Sequence, residues 1–164
     1  MNKYVVTGIF LGTALIIGGL IWFSQPTGQS SQVNANVSSL LKSDEKIFDF
    51  GTISMANGNV SHEFSVTNTS DKPITLNKIS TSCMCTAVSF KYNQKTFGPF
   101  KMEGMGGLTS ANITLNPGDS AVAEVIYDPN AHGPAGVGSI DRLIYLQDKT
   151  GGKLTLEIKA FVTP

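Results

Sequence analysis

Two stretches of the chain alternate apolar and polar residues at every second position. In residues 153–162, "KLTLEIKAFV", one face of an extended chain collects the apolar residues Leu154, Leu156, Ile158, Ala160 and Val162. In residues 59–68, "NVSHEFSVTN", one face likewise collects Val60, His62, Phe64 and Val66. Side chains of a β-strand point alternately to opposite faces of its sheet. The period of two therefore predicts strands with one buried and one solvated face.

Shorter apolar runs separated by turn residues fill the remainder of the chain. They predict further strands at residues 46–51, 74–80, 85–90, 113–115, 120–128 and 141–147. Residues 91–112 are glycine-rich and show no clean period. The 17 glycines and 7 prolines favour many short strands joined by turns. We therefore predict an all-β fold, an antiparallel two-sheet β-sandwich of about seven strands, with roughly 120 residues for its core.

An uncharged apolar run, "YVVTGIFLGTALIIGGLIWF", occupies residues 4–23. As a helix it would be about 30 Å long, which matches the hydrocarbon core of a bilayer. A cleaved signal peptide usually has a shorter apolar region that is followed closely by a small-x-small site. Here the nearest such triplet, "VNA", lies at residues 33–35. The run predicts one uncleaved transmembrane helix, with a cleaved signal peptide as the open alternative.

The flanks of this run predict its orientation. Lys3 and the amino terminus precede it, whereas residues 24–41 carry no charge. Positive charge is retained on the cytoplasmic side, so the remainder of the chain is expected outside the cytoplasm. The predicted organisation of this single-pass cell-membrane protein is a cytoplasmic segment at 1–3, an anchor at 4–23, a flexible tether at 24–43 and an extracytoplasmic sandwich at 44–164.

An ordered set of short motifs spans the predicted sandwich: "FDFGTI…VSHEFSVTNTSDKPITLNKISTSCMCTAV…ITLNPGDSAVAEVIYDP". From Ile47 to Val162 the chain resembles the bacterial immunoglobulin-like (Ig-like) domain family of unknown function 1573. The complete set with "SCMCT" is more specific than "FDFG" or "PGD" alone. The resemblance implies an Ig-like sandwich that is exported and tethered in the cell envelope. It implies no established biochemical role.

Cys83 and Cys85, the only two cysteines, lie one residue apart in "STSCMCTAV". In an extended strand their Cα atoms would be about 6.5 to 7 Å apart. A relaxed disulfide prefers about 5.5 to 6 Å, so a bond here would need a tight turn and would be strained and easily reduced. Its loop is too short to stabilise the fold much. Two sulfurs on one face could instead bind one soft metal ion, and two small buried hydrophobic residues remain an alternative.

Two loops offer further soft-metal ligands. Met102 and Met105 lie in "GPFKMEGMGG", and His132 lies in "DPNAHGPAG". Thiolate and thioether ligands select copper(I), and zinc where thiolates dominate. The resemblance implies that relatives can carry a histidine at the position of Met105, an exchange that suits copper better than zinc. The predicted metal ligands are Cys83, Cys85, Met102, Met105 and His132, with copper(I) as the predicted metal.

Other candidates receive structural interpretations. Met84 alternates with the cysteines and is expected to pack in the core, and Met55 is expected in a loop. His62 alternates with Val60 and Phe64, which is typical of a histidine at the rim of a core rather than a metal ligand.

Composition and motifs argue against several classes of function. The formal net charge is zero and no cluster of lysines and aromatic residues is present, which disfavours nucleic-acid binding. No catalytic motif or small-molecule site is evident, so we expect no enzyme. The leading hypothesis is a membrane-tethered domain that holds or delivers copper(I). The alternatives are a structural module that binds another envelope protein, and a thiol redox element that uses Cys83 and Cys85.

Overall fold

The computed structural model describes residues 39–164, so the predicted cytoplasmic segment, the anchor and most of the predicted tether lie outside the described residues. Ten β-strands form this part of the chain: β1 (Leu41–Lys42), β2 (Ile47–Ser54), β3 (Val60–Asn68), β4 (Ile74–Thr81), β5 (Thr86–Tyr92), β6 (Lys95–Phe100), β7 (Ser110–Leu115), β8 (Ser120–Tyr127), β9 (Gly138–Asp148) and β10 (Lys153–Thr163). Two 3-10 helices, Met55–Asn57 and Gly133–Gly136, are the only helical segments within residues 39–164. Neither is long and apolar enough to cross a membrane.

The strands form a β-sandwich of two five-stranded sheets, which confirms the predicted all-β class. One sheet has the order β1-β3-β8-β5-β6 and the other has the order β2-β10-β9-β4-β7. All strand pairs are antiparallel except β2 and β10, where Ile47 opposes Glu157 and Ser54 opposes Thr163. The prediction of a purely antiparallel sandwich is therefore wrong for this pair.

The first strand lies inside the segment predicted as the tether. Leu41 is only 1% exposed and opposes Asn68 at the end of β3. Because Leu41 is part of the core, the sandwich begins a few residues before the expected boundary at residue 44.

The edge strand β6 lies in the glycine-rich stretch where the sequence predicts no strand. The hairpin between β5 and β6 turns at Asn93 and Gln94, which both have positive φ angles, of 48° and 60°. Such angles are typical of the two-residue turns that join antiparallel strands. Most of β6 is exposed, and Pro99 is tolerated because an edge strand need not donate every N–H. Without a buried face the strand shows no alternation, which explains why its pattern is absent from the sequence.

The core lies between the two sheets and confirms the predicted alternation. The side chains of Phe64 and Val66 in β3 and of Leu156 and Ile158 in β10 are fully buried. The largest fully buried aromatic side chains are Phe64, Phe90, Phe100 and Tyr127. Burial of such a side chain contributes roughly 1.5–3 kcal/mol, so the apolar faces of the strands are the main source of stability.

A buried asparagine ties the two sheets together. The Nδ2 of Asn68, at the end of β3, donates to the carbonyl of Lys72 at 2.8 Å and to that of Leu115 in β7 at 3.0 Å. Its Oδ1 accepts from the backbone N–H of Ser70 at 3.0 Å. Since β3 and β7 belong to different sheets, one side chain closes the turn after β3 and links both layers.

The register of the strands defines two ends of the sandwich. We call one the cysteine end; it carries the connections at residues 82–85, 101–109 and 128–137, which lead from β4 to β5, from β6 to β7 and from β8 to β9. The opposite end carries the turns at residues 69–73, 116–119 and 149–152. The predicted ligands Cys83, Cys85, Met102, Met105 and His132 all fall in the connections of the cysteine end.

Candidate functional site

The two cysteines occupy a tight turn where the chain passes from one sheet to the other. The backbone N–H of Thr86 bonds the carbonyl of Cys83 at 3.2 Å, and the N–H of Asp128 bonds the carbonyl of Cys85 at 2.9 Å. The Cα atoms of Cys83 and Cys85 are 5.2 Å apart, closer than an extended strand allows. The cysteines therefore do not have the strand-like spacing considered for them, and the tight turn that a disulfide needs is present.

The turn brings the two sulfurs together as a disulfide between Cys83 and Cys85. Both residues are buried, at 9% and 3% exposure, whereas Met84 between them is 48% exposed. The prediction that Met84 packs in the core is wrong, because a turn rather than a strand sets the direction of its side chain.

Hydrogen bonds that involve the buried residues Thr81 and Thr86 stabilise the turn. The hydroxyl of Thr81 donates to the carbonyl of Cys83 at 2.9 Å. It also lies 3.1 Å from the carbonyl oxygen of Thr86. The backbone N–H of Cys85 donates to the Sγ of Cys83 at 3.2 Å. Buried polar groups that are all paired hold a single geometry, so the position of the two sulfurs is well defined.

His132 approaches the sulfur of Cys83. Its loop is shaped by the Asp128 carboxylate, which accepts from the backbone N–H of Asn130 at 2.8 Å, and by a turn bond from the N–H of Gly133 to the carbonyl of Asn130 at 2.9 Å. The Nε2 of His132 lies 3.3 Å from the Sγ of Cys83. The imidazole is exposed, so it borders the sulfurs on their solvent side.

Arg142, which was not predicted from the sequence as a site residue, approaches the other sulfur. Its Nε donates to the Sγ of Cys85 at 3.3 Å, and its Nη1 donates to the carbonyl of Asp141 at 2.9 Å. Burial raises the pKa of Tyr127, and the positive charge of Arg142 opposes that rise. A guanidinium at this distance favours a thiolate on Cys85 once the disulfide opens. One signal was available, because Arg142 is the only arginine in the chain.

Met102 and Met105 lie on the neighbouring connection between β6 and β7. The two ends of this loop are closed by a bond from the N–H of Lys101 to the carbonyl of Leu108 at 3.0 Å. Met105 is 54% exposed and Met102 is half-buried. Their loop belongs to the same end of the sandwich as the cysteines, and ligation by their thioethers stays a prediction.

Two further residues of the sequence analysis find other roles. Met55 begins a 3-10 helix and packs partly against the core, and its carbonyl accepts from the Nδ2 of Asn130 at 2.8 Å. The ring of His62 stacks on Phe48 with centroids 3.5 Å apart, and its Nε2 lies 2.8 Å from the carboxylate of Glu45. The interpretation of His62 as a rim histidine is confirmed.

The donor set at the cysteine end fits a soft metal ion when the disulfide is reduced. One ligand atom from each of Cys83, Cys85 and His132 lies within 4.8 Å of the others, the one such group found within residues 39–164. A thiolate, and not a disulfide sulfur, is the form of cysteine that binds metals. Two thiolates and an imidazole suit copper(I) or zinc. The metal and the disulfide therefore need the same two sulfur atoms.

These features define a class: an all-β sandwich domain with a Cys-x-Cys pair in the turn that joins its two sheets. Residues 41–102 match the protein family described as "Protein of unknown function (DUF1573)", which confirms the resemblance over this part of the chain. No curated protein matches the chain.

Solved structures support the fold alone. A protein of unknown function from Porphyromonas gingivalis W83 has a TM-score of 0.54 and 15% identity, over 77% of this chain and 48% of that chain. A family 123 glycoside hydrolase from Clostridium perfringens has a TM-score of 0.50 and 8% identity, over 71% of this chain and 22% of that chain. The chain thus spans less than half the length of each of these proteins.

Proposed function

We propose that this protein is a membrane-tethered, extracytoplasmic Ig-like domain that binds a soft metal ion, copper(I), and holds or delivers it. The observation that carries the proposal is the convergence of Cys83, Cys85 and His132, whose ligand atoms lie within 4.8 Å of one another. The proposed anchor is the apolar run at residues 4–23.

The chemistry of the ligands and of their surroundings favours copper(I). Thiolate sulfur is the donor that copper(I) prefers, and a sulfur pair with one imidazole meets its low coordination number. Two thiolates around one copper(I) ion leave a single net negative charge. Arg142, at 3.3 Å from the Sγ of Cys85, supplies the compensating positive charge. Thioethers from Met102 and Met105 would complete the site on its exposed side.

Holding or delivery fits this site better than catalysis does. Both sulfurs are buried in a turn, and the only exposed ligand among the three is His132. A general base and a substrate cleft are the usual partners of a nucleophilic cysteine. Two cavities in the described part of the chain are lined by other residues, including Asp49, Lys159 and Ser43. We therefore propose a binding protein and not an enzyme.

Competition with a chromophoric copper(I) chelator tests the proposal on the full-length protein in detergent. Reduced wild type is expected to withdraw one copper(I) per chain from the chelator. A Cys83→Ala/Cys85→Ala variant is expected to withdraw none, and oxidised wild type provides a control of identical sequence with both sulfurs blocked. Thermal unfolding of each sample verifies that the sandwich is intact. If reduced wild type and the double variant compete equally badly, the proposal is wrong.

A partner-binding module of the cell envelope is the second candidate function. Four large apolar side chains are strongly exposed on the turn and loops of the cysteine end: Met84, Met105, Leu108 and Val137. Exposed apolar groups that cluster around a site are typical of protein interaction surfaces. Such a surface would suit a protein that passes its metal to a partner. Binding of a partner to the metal-free double variant would favour this function over metal delivery.

A further inference from the structure

We propose that the Cys83–Cys85 disulfide undergoes thiol–disulfide exchange in one fixed direction: an incoming monothiol attacks Cys83, and Cys85 leaves as a thiolate. The proposal rests on the different neighbours of the two sulfurs and does not depend on metal binding.

The two sulfurs differ in access. Cys83 is 9% exposed and its Sγ has the exposed imidazole of His132 beside it, whereas Cys85 is 3% exposed. The backbone carbonyl of Cys85 is bonded to Asp128, and its Sγ lies 3.7 Å from the hydroxyl of buried Thr86. The attacking sulfur must reach one disulfide sulfur from the solvent, so access to that sulfur influences the rate. Cys83 is therefore the sulfur that an external thiol meets first.

The two sulfurs also differ in charge environment. The guanidinium of Arg142 donates to the Sγ of Cys85 at 3.3 Å and makes no such bond to Cys83 within the described residues. In thiol–disulfide exchange the sulfur that better stabilises a negative charge leaves faster. Charge-assisted hydrogen bonds are roughly twice as strong as neutral ones. Access and charge thus select the same direction of attack.

The step is balanced by the incoming thiol alone. Its sulfur forms a new bond to the Sγ of Cys83, and the bond between Cys83 and Cys85 breaks. The electron pair of the broken bond goes to the Sγ of Cys85. The positive charge of Arg142 stabilises the resulting thiolate. The incoming thiol reacts as its thiolate, so its proton has already passed to water. The product is a mixed disulfide on Cys83, and attack by the Cys85 thiolate reverses the step.

The narrow access limits the class of substrate. Cys83 is only 9% exposed and the imidazole of His132 lies 3.3 Å from its Sγ, so a slender and mobile attacking group reaches it most easily. A low-molecular-weight monothiol meets this requirement, and glutathione serves as the probe.

Trapping of the mixed disulfide tests the direction of exchange. Oxidised full-length protein in detergent is mixed with glutathione, and free thiols are blocked at once with an alkylating reagent. Fragmentation of the peptide on either side of Met84 then distinguishes the two cysteines. We expect glutathione on Cys83 and the alkyl group on Cys85, in an excess of at least about tenfold. Glutathione mainly on Cys85, or evenly on both, would overturn the proposal.

Variants of Arg142 test the role of its charge. Arg142→Gln is expected to slow disulfide opening about tenfold or more, whereas Arg142→Lys retains the charge and is expected to retain part of the rate. Lys78→Gln removes a surface charge that pairs with Glu103 and is expected to leave the rate unchanged. An unchanged rate in a folded Arg142→Gln variant would refute the role. If Arg142→Gln does not fold, the Arg142→Lys variant provides the test. Loss of the preference for Cys83 in Arg142→Lys would refute the role of the charge equally.

Discussion

Arg142 and Cys85 are 57 residues apart in sequence, yet the Nε of the arginine lies 3.3 Å from the Sγ of the cysteine. On the other side of the disulfide, the Nε2 of His132 lies at the same distance from the Sγ of Cys83. The only arginine and one of the only two histidines therefore flank the only two cysteines. The pair is chemically asymmetric, with an exposed imidazole beside one sulfur and a half-buried guanidinium beside the other.

Copper(I) is expected to protect the two cysteines from modification. The metal and an alkylating reagent need the same sulfur electrons, so saturation of the reduced protein should slow alkylation of Cys83 and Cys85 by at least about tenfold. Mass spectrometry of timed samples measures this rate. Magnesium at the same concentration is the control, because it binds oxygen ligands. Equal alkylation with and without copper(I) would show that the sulfurs are not ligands.

The two histidines offer a matched pair of variants. His132→Ala is expected to weaken copper(I) binding by about 10- to 100-fold, because it removes a proposed ligand at 3.3 Å from a sulfur. His62→Ala removes the stack on Phe48 and the contact with Glu45 and is expected to leave copper(I) affinity unchanged. Chelator competition measures both affinities. Equal affinities for the two variants would exclude His132 as a ligand.

The two loop methionines are expected to contribute to copper(I) affinity but not to zinc affinity. A Met102→Leu/Met105→Leu variant nearly conserves side-chain volume and removes both thioethers. Thioethers bind copper(I) and are poor ligands for zinc, so only the copper(I) affinity should fall. Parallel titrations with the two metals provide the measurement. A fall for both metals would indicate a disturbed loop, and no change for copper(I) would restrict the site to Cys83, Cys85 and His132.

Asn68 is expected to be important for stability. Asn68→Ala removes the bonds to the carbonyls of Lys72 and Leu115 and the bond from the N–H of Ser70, which should cost about 2–4 kcal/mol in the free energy of unfolding. Asn59→Ala changes an exposed asparagine before β3 and should have little effect. Urea unfolding measures both. A loss below about 0.5 kcal/mol for Asn68→Ala would contradict the bridging role.

Acid is expected to weaken the contact between Asp119 and Tyr92. Hydrogen bonds from the Tyr92 hydroxyl and from the backbone of Asn116 lower the pKa of Asp119 below its ordinary 3.8. Because the pKa of Asp119 is lowered in the folded state, the contribution of its ionised carboxylate to stability is present above the ordinary pKa. It is lost as the pH falls from there through the lowered pKa. Tyr92→Phe should therefore lower stability at neutral pH and flatten this part of the acid profile.

Urea unfolding at a series of pH values checks this prediction. Asn59→Ala changes an exposed neutral side chain and is the control for the acid window. Identical slopes for wild type and Tyr92→Phe below about pH 4 would contradict the assignment to Asp119.

Strands with one buried face could be predicted from the sequence, and strands without one could not. β3 and β10 alternate in the sequence because the core selects every second side chain. β6 has almost no buried face, so nothing imposes alternation on it. Whether β2 pairs parallel or antiparallel with β10 depends on the path of the whole chain, which local patterns do not record.

The site could be predicted in part for the same reason. Cys83, Cys85 and His132 have unusual residue types in unusual loops, and the fold brings them together. The predicted direction of the Met84 side chain was wrong because the cysteine segment forms a turn. The backbone N–H groups of Thr86 and Asp128 donate to the cysteine carbonyls and stabilise this turn. Arg142 was missed because β9 carries it in an ordinary strand pattern, and only the tertiary fold places it at the sulfur of Cys85.

The position of Leu41 beside Asn68 has a consequence for how the sulfurs meet other molecules. β3 runs from the cysteine end at Val60 to the opposite end at Asn68, a distance of about 26 Å. Because Leu41 pairs with Asn68, the described chain enters the sandwich at the end remote from Cys83 and Cys85. The first described residues, 39–42, therefore do not cover the sulfurs. A thiol or a metal ion can reach the cysteine end without displacing these residues.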